Sequence, residues 1–263
     1  MIFEPMSFDA LLPFVIAILL VPYVVRLIWI RFWLRVRPPD VVQFDAADPD
    51  LPPEVARHFR KVTKALQPVG FDVVSGLAMP NEVPKVKSWS LLLVNRGDDT
   101  IAMASVYYIE PAQGGRLHSA HVTLKTHFAG GALVRTDNAN EFSDPGPVAD
   151  RITTQFPMVQ NPARLYELHK ALVETHGRDL EKMLPLDDEF NGDAVAYQTR
   201  AYAKEIDESV SIGRSYFARR EGVYLPTWKG AMVLSWQHTW FQRAVRRYRR
   251  ERKARRLLAE LTH

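Results

Sequence analysis

The chain has 263 residues, of which 47% are apolar and 24% charged, enough apolar matter for a packed body and too much for a disordered chain. It contains no cysteine, which excludes disulfides, thiolate metal sites and a cysteine nucleophile. The net charge of +4 conceals two basic segments, Arg26 to Arg37 and Arg243 to Arg256, around an acidic middle: residues 38–242 carry 21 basic against 26 acidic side chains.

Residues Ala10 to Val25 are uncharged, and apolar character continues past Arg26 to Leu34. A helix from about Phe8 to Trp29 would be roughly 33 Å long, enough for the hydrocarbon core of a bilayer. Pro13 falls in its first turns, where a missing N–H costs little, and Pro22 is expected to kink it. Tyr23, Trp29 and Trp33 stand where an aromatic belt would lie, and Arg26 is placed to snorkel. Glu4 and Asp9 precede the run where a signal peptide would be basic, and no small-residue cleavage site follows, so the segment reads as an anchor. Arg26, Arg31, Arg35 and Arg37 all follow the apolar run. The positive-inside rule then places the N-terminus outside and the body in the cytoplasm.

Residues 1–37 are thus expected to form the anchor, and the Pro- and Asp-rich residues 38–52 a stiff linker. A cytoplasmic α+β domain is expected over 53–222. It opens with a helix from about Pro53 to Leu66, in which Val55, Phe59, Val62 and Leu66 form one stripe, ended by Pro68 and Gly70. Strands are predicted over Phe71–Leu77, Trp89–Val94, Ile101–Ile109, Leu117–Phe128 and Ala132–Thr136. Asn95-Arg96-Gly97-Asp98-Asp99 reads as a hairpin loop. Short connections imply an antiparallel meander of four or five strands. An irregular stretch with Pro145, Pro147 and Pro157 follows. Asn161-Pro162 then caps a helix with Leu165, Leu168, Leu172 and Val173 on its buried face, stopped by Gly177. Residues 178–190 read as an acidic loop, and Asp193 to Ala218 as a further helix.

The candidate chemical groups have bland readings. His118, His121 and His127 share a strand, but alternation puts His118 on the face opposite His121, and Lys125 between the aligned pair would repel a cation. Their face is expected to be solvated. His169 and His176 lie seven residues apart on one helix and read as surface or capping groups. Thr136-Asp137-Asn138 reads as a turn, with Asp137 as the one carboxylate that could serve a site between the meander and the Asn161 helix. Asp187-Asp188-Glu189 reads as a helix start or a solvated loop. No nucleophile elbow, phosphate loop or dinucleotide fingerprint occurs. No catalytic residue, metal or cofactor is assigned.

Residues 223–263 carry the strongest local signal. Thr227 is expected to cap one long helix reaching about Leu261. Met232, Trp236 and Trp240 lie at i, i+4 spacing, Trp228 about 80° from Trp236, and an arginine block with Arg243, Arg246, Arg247 and Arg250 follows. Tryptophan at headgroup level and arginine against anionic lipid suit an interfacial helix; the same aromatics would anchor a protein partner, and the arginines could meet nucleic-acid phosphates, the least favoured of the three.

In architecture, though not in any motif, the chain resembles single-pass bacterial membrane proteins with a cytoplasmic α+β body. The expected function is a non-enzymatic, membrane-anchored interaction or scaffolding protein. It would be an accessory subunit of a larger inner-membrane complex, such as an energy-transducing one. The bilayer and integral-membrane proteins are its partners. The alternatives are a membrane-tethered enzyme with a site near Asp137, and a tethered nucleic-acid- or regulator-binding module.

Overall fold

The computed structural model describes residues 8–34, 40–46, 48, 50–83, 86–109, 116–140, 150–177, 179–211, 224–237 and 239–261. The chain divides into two compact units, Met1–Val36 with Ser209–Arg247, and Arg37–Glu208 with Tyr248–His263.

The second unit is α+β and built on a mixed sheet. The described strands are β1 (Val42–Phe44), β2 (Asp72–Val83), β3 (Val86–Asn95), β4 (Thr100–Ile109), β5 (Arg116–Phe128), β6 (Leu133–Asp137), β7 (Arg151–Gln155) and the short β8 (Lys182–Met183). Their spatial order is β1 to β7 in sequence, with β8 on the end of β5. The antiparallel meander is present from β2 to β6. Asn95 turns the β3–β4 hairpin by accepting the Gly97 and Asp98 N–H groups on Oδ1 (3.0 and 3.2 Å), a local side-chain turn of the kind that Asn favours.

Three strands go beyond that expectation. β1 lies in the Pro/Asp linker, where Val42, Gln43 and Phe44 pair with Ala78, Leu77 and Gly76. β7 falls in the stretch read as irregular and runs parallel to β6, which a tight turn could not connect but a long excursion can. β8 interrupts the segment read as an acidic loop, and a short helix, α4 (Pro185–Asp188), follows it.

One face of the sheet is apolar. α2 (Pro53–Leu66) buries the expected Val55, Phe59, Val62 and Leu66. α3 (Pro162–Gly177) adds Leu165, Leu168, Leu172 and Val173 over Leu91, Leu93, Ala104, Val122 and Leu124. Asn161 Oδ1 accepts the Ala163 N–H at 3.0 Å, the predicted cap. Gly177 ends α3 against the Phe128 ring: a Cβ there would sit 2.3 Å from Cζ. Because Phe128 is itself buried, Gly177→Ala should cost about 1–3 kcal/mol through overpacking, read as a lowered urea midpoint.

The opposite face is divided. Leu77, Leu92, Val94 and Ile101 pack with Leu184, Leu186, Ala194 and Tyr197, the last two from α5 (Ala194–Ser211). Asp193 caps α5 by accepting the Val195 and Ala196 N–H groups, each at 3.0 Å. The rest of this face is polar and, contrary to the solvated face expected, buried: His121, Thr123, Lys125, Arg135 and Asp137 are all shielded from solvent. The end of the Asp193 helix as predicted, 212–218, lies outside the described residues.

In the first unit α1 (Phe8–Trp33) is a 26-residue helix. No helix among the described residues is long and apolar enough to cross a membrane. The described side chains of α1 begin at Leu20, and the spanning role expected for it is not supported by that finding. The single long C-terminal helix is corrected to two, α6 (Trp228–Gln237) and α7 (Trp240–Leu261). Thr239 donates both its N–H (3.1 Å) and its hydroxyl (2.8 Å) to the Trp236 carbonyl, tightening the end of α6. A Thr side chain competing for a nearby carbonyl in this way weakens helical continuity. Thr227 does cap α6, accepting the Gly230 N–H at 2.9 Å.

Candidate functional site

In the first unit α1 and α6 pack side by side. Tyr23 meets Trp236 edge-on, with ring centroids 6.3 Å apart, and its carbonyl accepts the Ser235 hydroxyl at 2.9 Å. Nine residues on, Phe32 meets Trp228 edge-on at 5.9 Å. The two helices therefore run antiparallel. The Arg31 guanidinium lies over both the Trp228 and Phe32 rings, 5.3 and 5.4 Å from their centres, a cation–π arrangement favoured by the guanidinium's weak hydration.

Of the residues expected to contact membrane or partner, Trp29, Trp33, Trp228 and Trp236 are 54%, 67%, 52% and 52% exposed. Tyr23 and Arg31 are half-buried between the helices, and Arg26 and Arg247 are exposed. Arg246 is half-buried. Arg250 is engaged with the body: its guanidinium donates to Gln155 Oε1 (3.0 Å) and to the Asn140 carbonyl (2.7 Å). Arg35 and Arg37 lie outside the described residues, as do the side chains of Trp240 and Arg243.

The buried polar face of the sheet is the arrangement that sequence reasoning missed. The register sets Lys125 beside Arg135 and Thr123 beside Asp137, then Arg135 beside Thr153 and Asp137 beside Gln155. Asp137 Oδ1 accepts the Ala139 N–H (3.1 Å) and the Gln155 amide (2.9 Å), while Oδ2 lies 3.5 Å from Arg135 Nε. Arg135 also reaches Glu205 at 3.7 Å, and Arg151 pairs with Glu208 at 2.5 Å. Two acids three residues apart on α5 thus face two arginines on neighbouring strands. Burial pushes the Lys125 ammonium below its ordinary range, opposed chiefly by Glu205. Burial also raises the Asp137 carboxyl, with Arg135 as the main opposing charge.

The histidines share this environment. His121 stacks on Tyr107 at 5.8 Å, and burial pushes it down to about 4, helped by Arg135 and His58. Burial takes His127 to about 3, with Lys125 adding to the effect. The pairing of β4 with β5 steps by one residue between Tyr107–Ser119 and Tyr108–Leu117. His118 is therefore the extra residue, and strand alternation does not carry to it; its side chain lies outside the described residues. His169, read as a surface or capping group, is buried, and its ring bridges the hydroxyls of Thr126 and Thr136, each at 2.9 Å. Burial pushes it down to about 3. His176 is exposed.

Asp187 pairs with Arg96 at 2.7 Å, and Asp188 accepts the Leu184 N–H at the start of α4, at 2.7 Å, as the helix-start reading expects. Asp137 forms the expected local turn through Ala139, but it closes the end of β6, lies on the strand face opposite Thr136 and α3, and among the described residues has no histidine bonded to it. Among the described residues no three His, Asp or Glu side chains converge as a metal site.

A helical pair with outward-facing aromatics and a body sealed over its own charges are therefore the two features from which a function is to be read. No family model, no curated protein and no solved structure matches the chain.

Proposed function

We propose that the chain is a single-pass, membrane-anchored interaction or scaffolding protein of the bacterial inner membrane, with its α+β body in the cytoplasm. It serves as an accessory subunit of a larger integral-membrane complex, such as an energy-transducing one. One observation carries this reading. Large apolar side chains are exposed on α1 from Leu20, where its described side chains begin, through Val24 and Ile28 to Trp33, and again on α6 at Trp228, Met232 and Trp236. A contiguous apolar surface of that extent is an interaction surface and not an ordinary exterior. The uncharged run Ala10–Val25 and the arginines that follow it supply the length and the orientation signal.

The test is fractionation followed by mild-detergent purification and mass spectrometry. The chain should stay with membranes through an alkaline wash and bring stoichiometric integral-membrane proteins with it. Release by the wash would remove the anchor, and purification as a lone species would remove the accessory role. Orientation has its own measurement: a C-terminal reporter active only in the periplasm should be silent. Adding several lysines before Phe8 should raise its activity, because orientation follows the charge difference.

A further inference from the structure

We infer that α6 is a second membrane-embedded leg, lodged beside the cytoplasmic end of α1 in an anionic leaflet. The inference rests on the anchored reading above and adds a lipid-facing element that does not itself span. The observation is an inverted amphipathic pattern. On α6 the small residues Ala231 and Ser235 are fully buried, whereas Trp228, Met232 and Trp236 are each 52% exposed. In water the large apolar side chains would turn inward and the serine outward. In lipid the hydrocarbon tails are as apolar as the side chains. Helices then meet through small residues and interhelical hydrogen bonds, here Ser235 Oγ donating to the Tyr23 carbonyl at 2.9 Å.

The ends of α6 suit the same medium. Backbone groups in an apolar phase must be satisfied within the protein. At the start, Thr227 accepts the Gly230 N–H on its hydroxyl (2.9 Å) and the Ala231 N–H on its carbonyl (2.8 Å). At the finish, the Trp236 carbonyl takes two bonds from Thr239. α6 has ten residues, about 15 Å of helix and half of a hydrocarbon core, so it enters and turns within one leaflet.

The antiparallel contacts place α6 beside residues 23–32 of α1. These adjoin the arginine flank that follows the apolar run, hence the cytoplasmic side. Charge complementarity selects the lipid: Arg31 covers the Trp228 end of α6, and Arg247 is exposed beyond the turn. Arginine beside tryptophan at the interface favours anionic headgroups.

The absence of cysteine makes the test direct. Full-length Val24→Cys on α1, Met232→Cys on α6 and Glu174→Cys on the exposed side of α3 are each labelled with an environment-sensitive fluorophore. Each is placed in anionic lipid nanodiscs, which are open to solvent on both faces. The Val24 and Met232 positions should show blue-shifted emission, loss of dithionite reduction and quenching by nitroxide-labelled lipid, while the Glu174 position is reduced freely. A protected Val24 position with a freely reduced Met232 position overturns the α6 inference and leaves the anchor standing. Protection at Met232 without lipid quenching puts protein, such as a second copy of the chain, on that face and also overturns it. A freely reduced Val24 position removes the anchored reading and the inference together.

Discussion

Acidification from pH 7 to pH 5 should destabilise the body by about 4 kcal/mol, from two histidines alone. His121 and His169 are buried, and their folded-state values fall from 6.5 to about 4 and about 3. A lowered histidine stays neutral in the fold while the unfolded chain takes up the proton. The unfolded state therefore binds more protons throughout the window between the folded value and 6.5. Stability is complete above that window and declines as pH falls through it, by roughly 2 kcal/mol per histidine at pH 5. The raised Asp137 carboxyl acts in the opposite sense, since the fold takes up that proton first. Its window opens upward from 3.8. Against a typical stability of about 5–15 kcal/mol the net change should be plain in urea unfolding followed by circular dichroism. His169→Gln, which keeps polar atoms near Thr126 and Thr136 but cannot titrate, should shrink the loss between pH 7 and pH 5 by about 2 kcal/mol, the share that falls to His169. An unchanged slope in that variant would mean that His169 is protonated, or solvated, in the fold.

How much of this could be read from the sequence depends on the element. α2 was legible to the residue, because Val55, Phe59, Val62 and Leu66 lie at 4, 3 and 4 spacing and all four are buried. The β2–β6 meander was legible because turn residues separate apolar, β-branched runs. β1 and β8 have three and two residues, too few to establish a period, and they pair only because longer neighbours present an edge. β7 was within reach: Ile152, Thr153 and Thr154 form a β-branched run. The prolines before and after it suggested a loop, and the parallel pairing with β6 could not be inferred from loop length alone.

The site was less legible, for a physical reason. Alternation along β5 correctly grouped His121, Thr123, Lys125 and His127 on one face, but it says nothing about what lies over that face. The cover comes from α5, whose Glu205 is eighty residues further along. A polar strand face is usually wet, and only a tertiary contact makes this one dry. His169 did carry a signal. Leu165, Leu168 and Leu172 surround it at i−4, i−1 and i+3, so it stands inside the apolar stripe of α3 and not beside it. The seven-residue spacing to the exposed His176 points the other way, toward a surface pair. The C-terminal tryptophans and arginines were visible as composition. The break at Thr239 and the turning of Arg250 into the body both depend on hydrogen bonds that no periodicity encodes.

Asp137→Ala should cost about 3–5 kcal/mol, the range for removing one partner of a buried charge pair. The residue is fully buried, and four neighbours depend on it. Ala139 N–H and the Gln155 amide donate to Oδ1, Arg135 lies against Oδ2, and Arg250 holds Gln155 from the far side. Alanine leaves two buried donors without an acceptor and Arg135 without its nearest acid on the sheet. Asp137→Asn keeps the Oδ1 acceptor but removes the charge that faces Arg135, so it should cost less than Asp137→Ala without being neutral. Lys125→Met is expected to move the other way, gaining about 1–3 kcal/mol, because a buried ammonium pushed below its ordinary range is held at the expense of its desolvation. Methionine fills a similar volume, and Glu205 keeps its contact with Arg135. Urea midpoints of the three variants decide the matter. If Asp137→Ala is neutral, the network does not hold the sheet together. If Lys125→Met is as damaging as Asp137→Ala, the attraction between Lys125 and Glu205 outweighs the cost of burying the lysine, and the polar face is a stabilising feature of the body throughout.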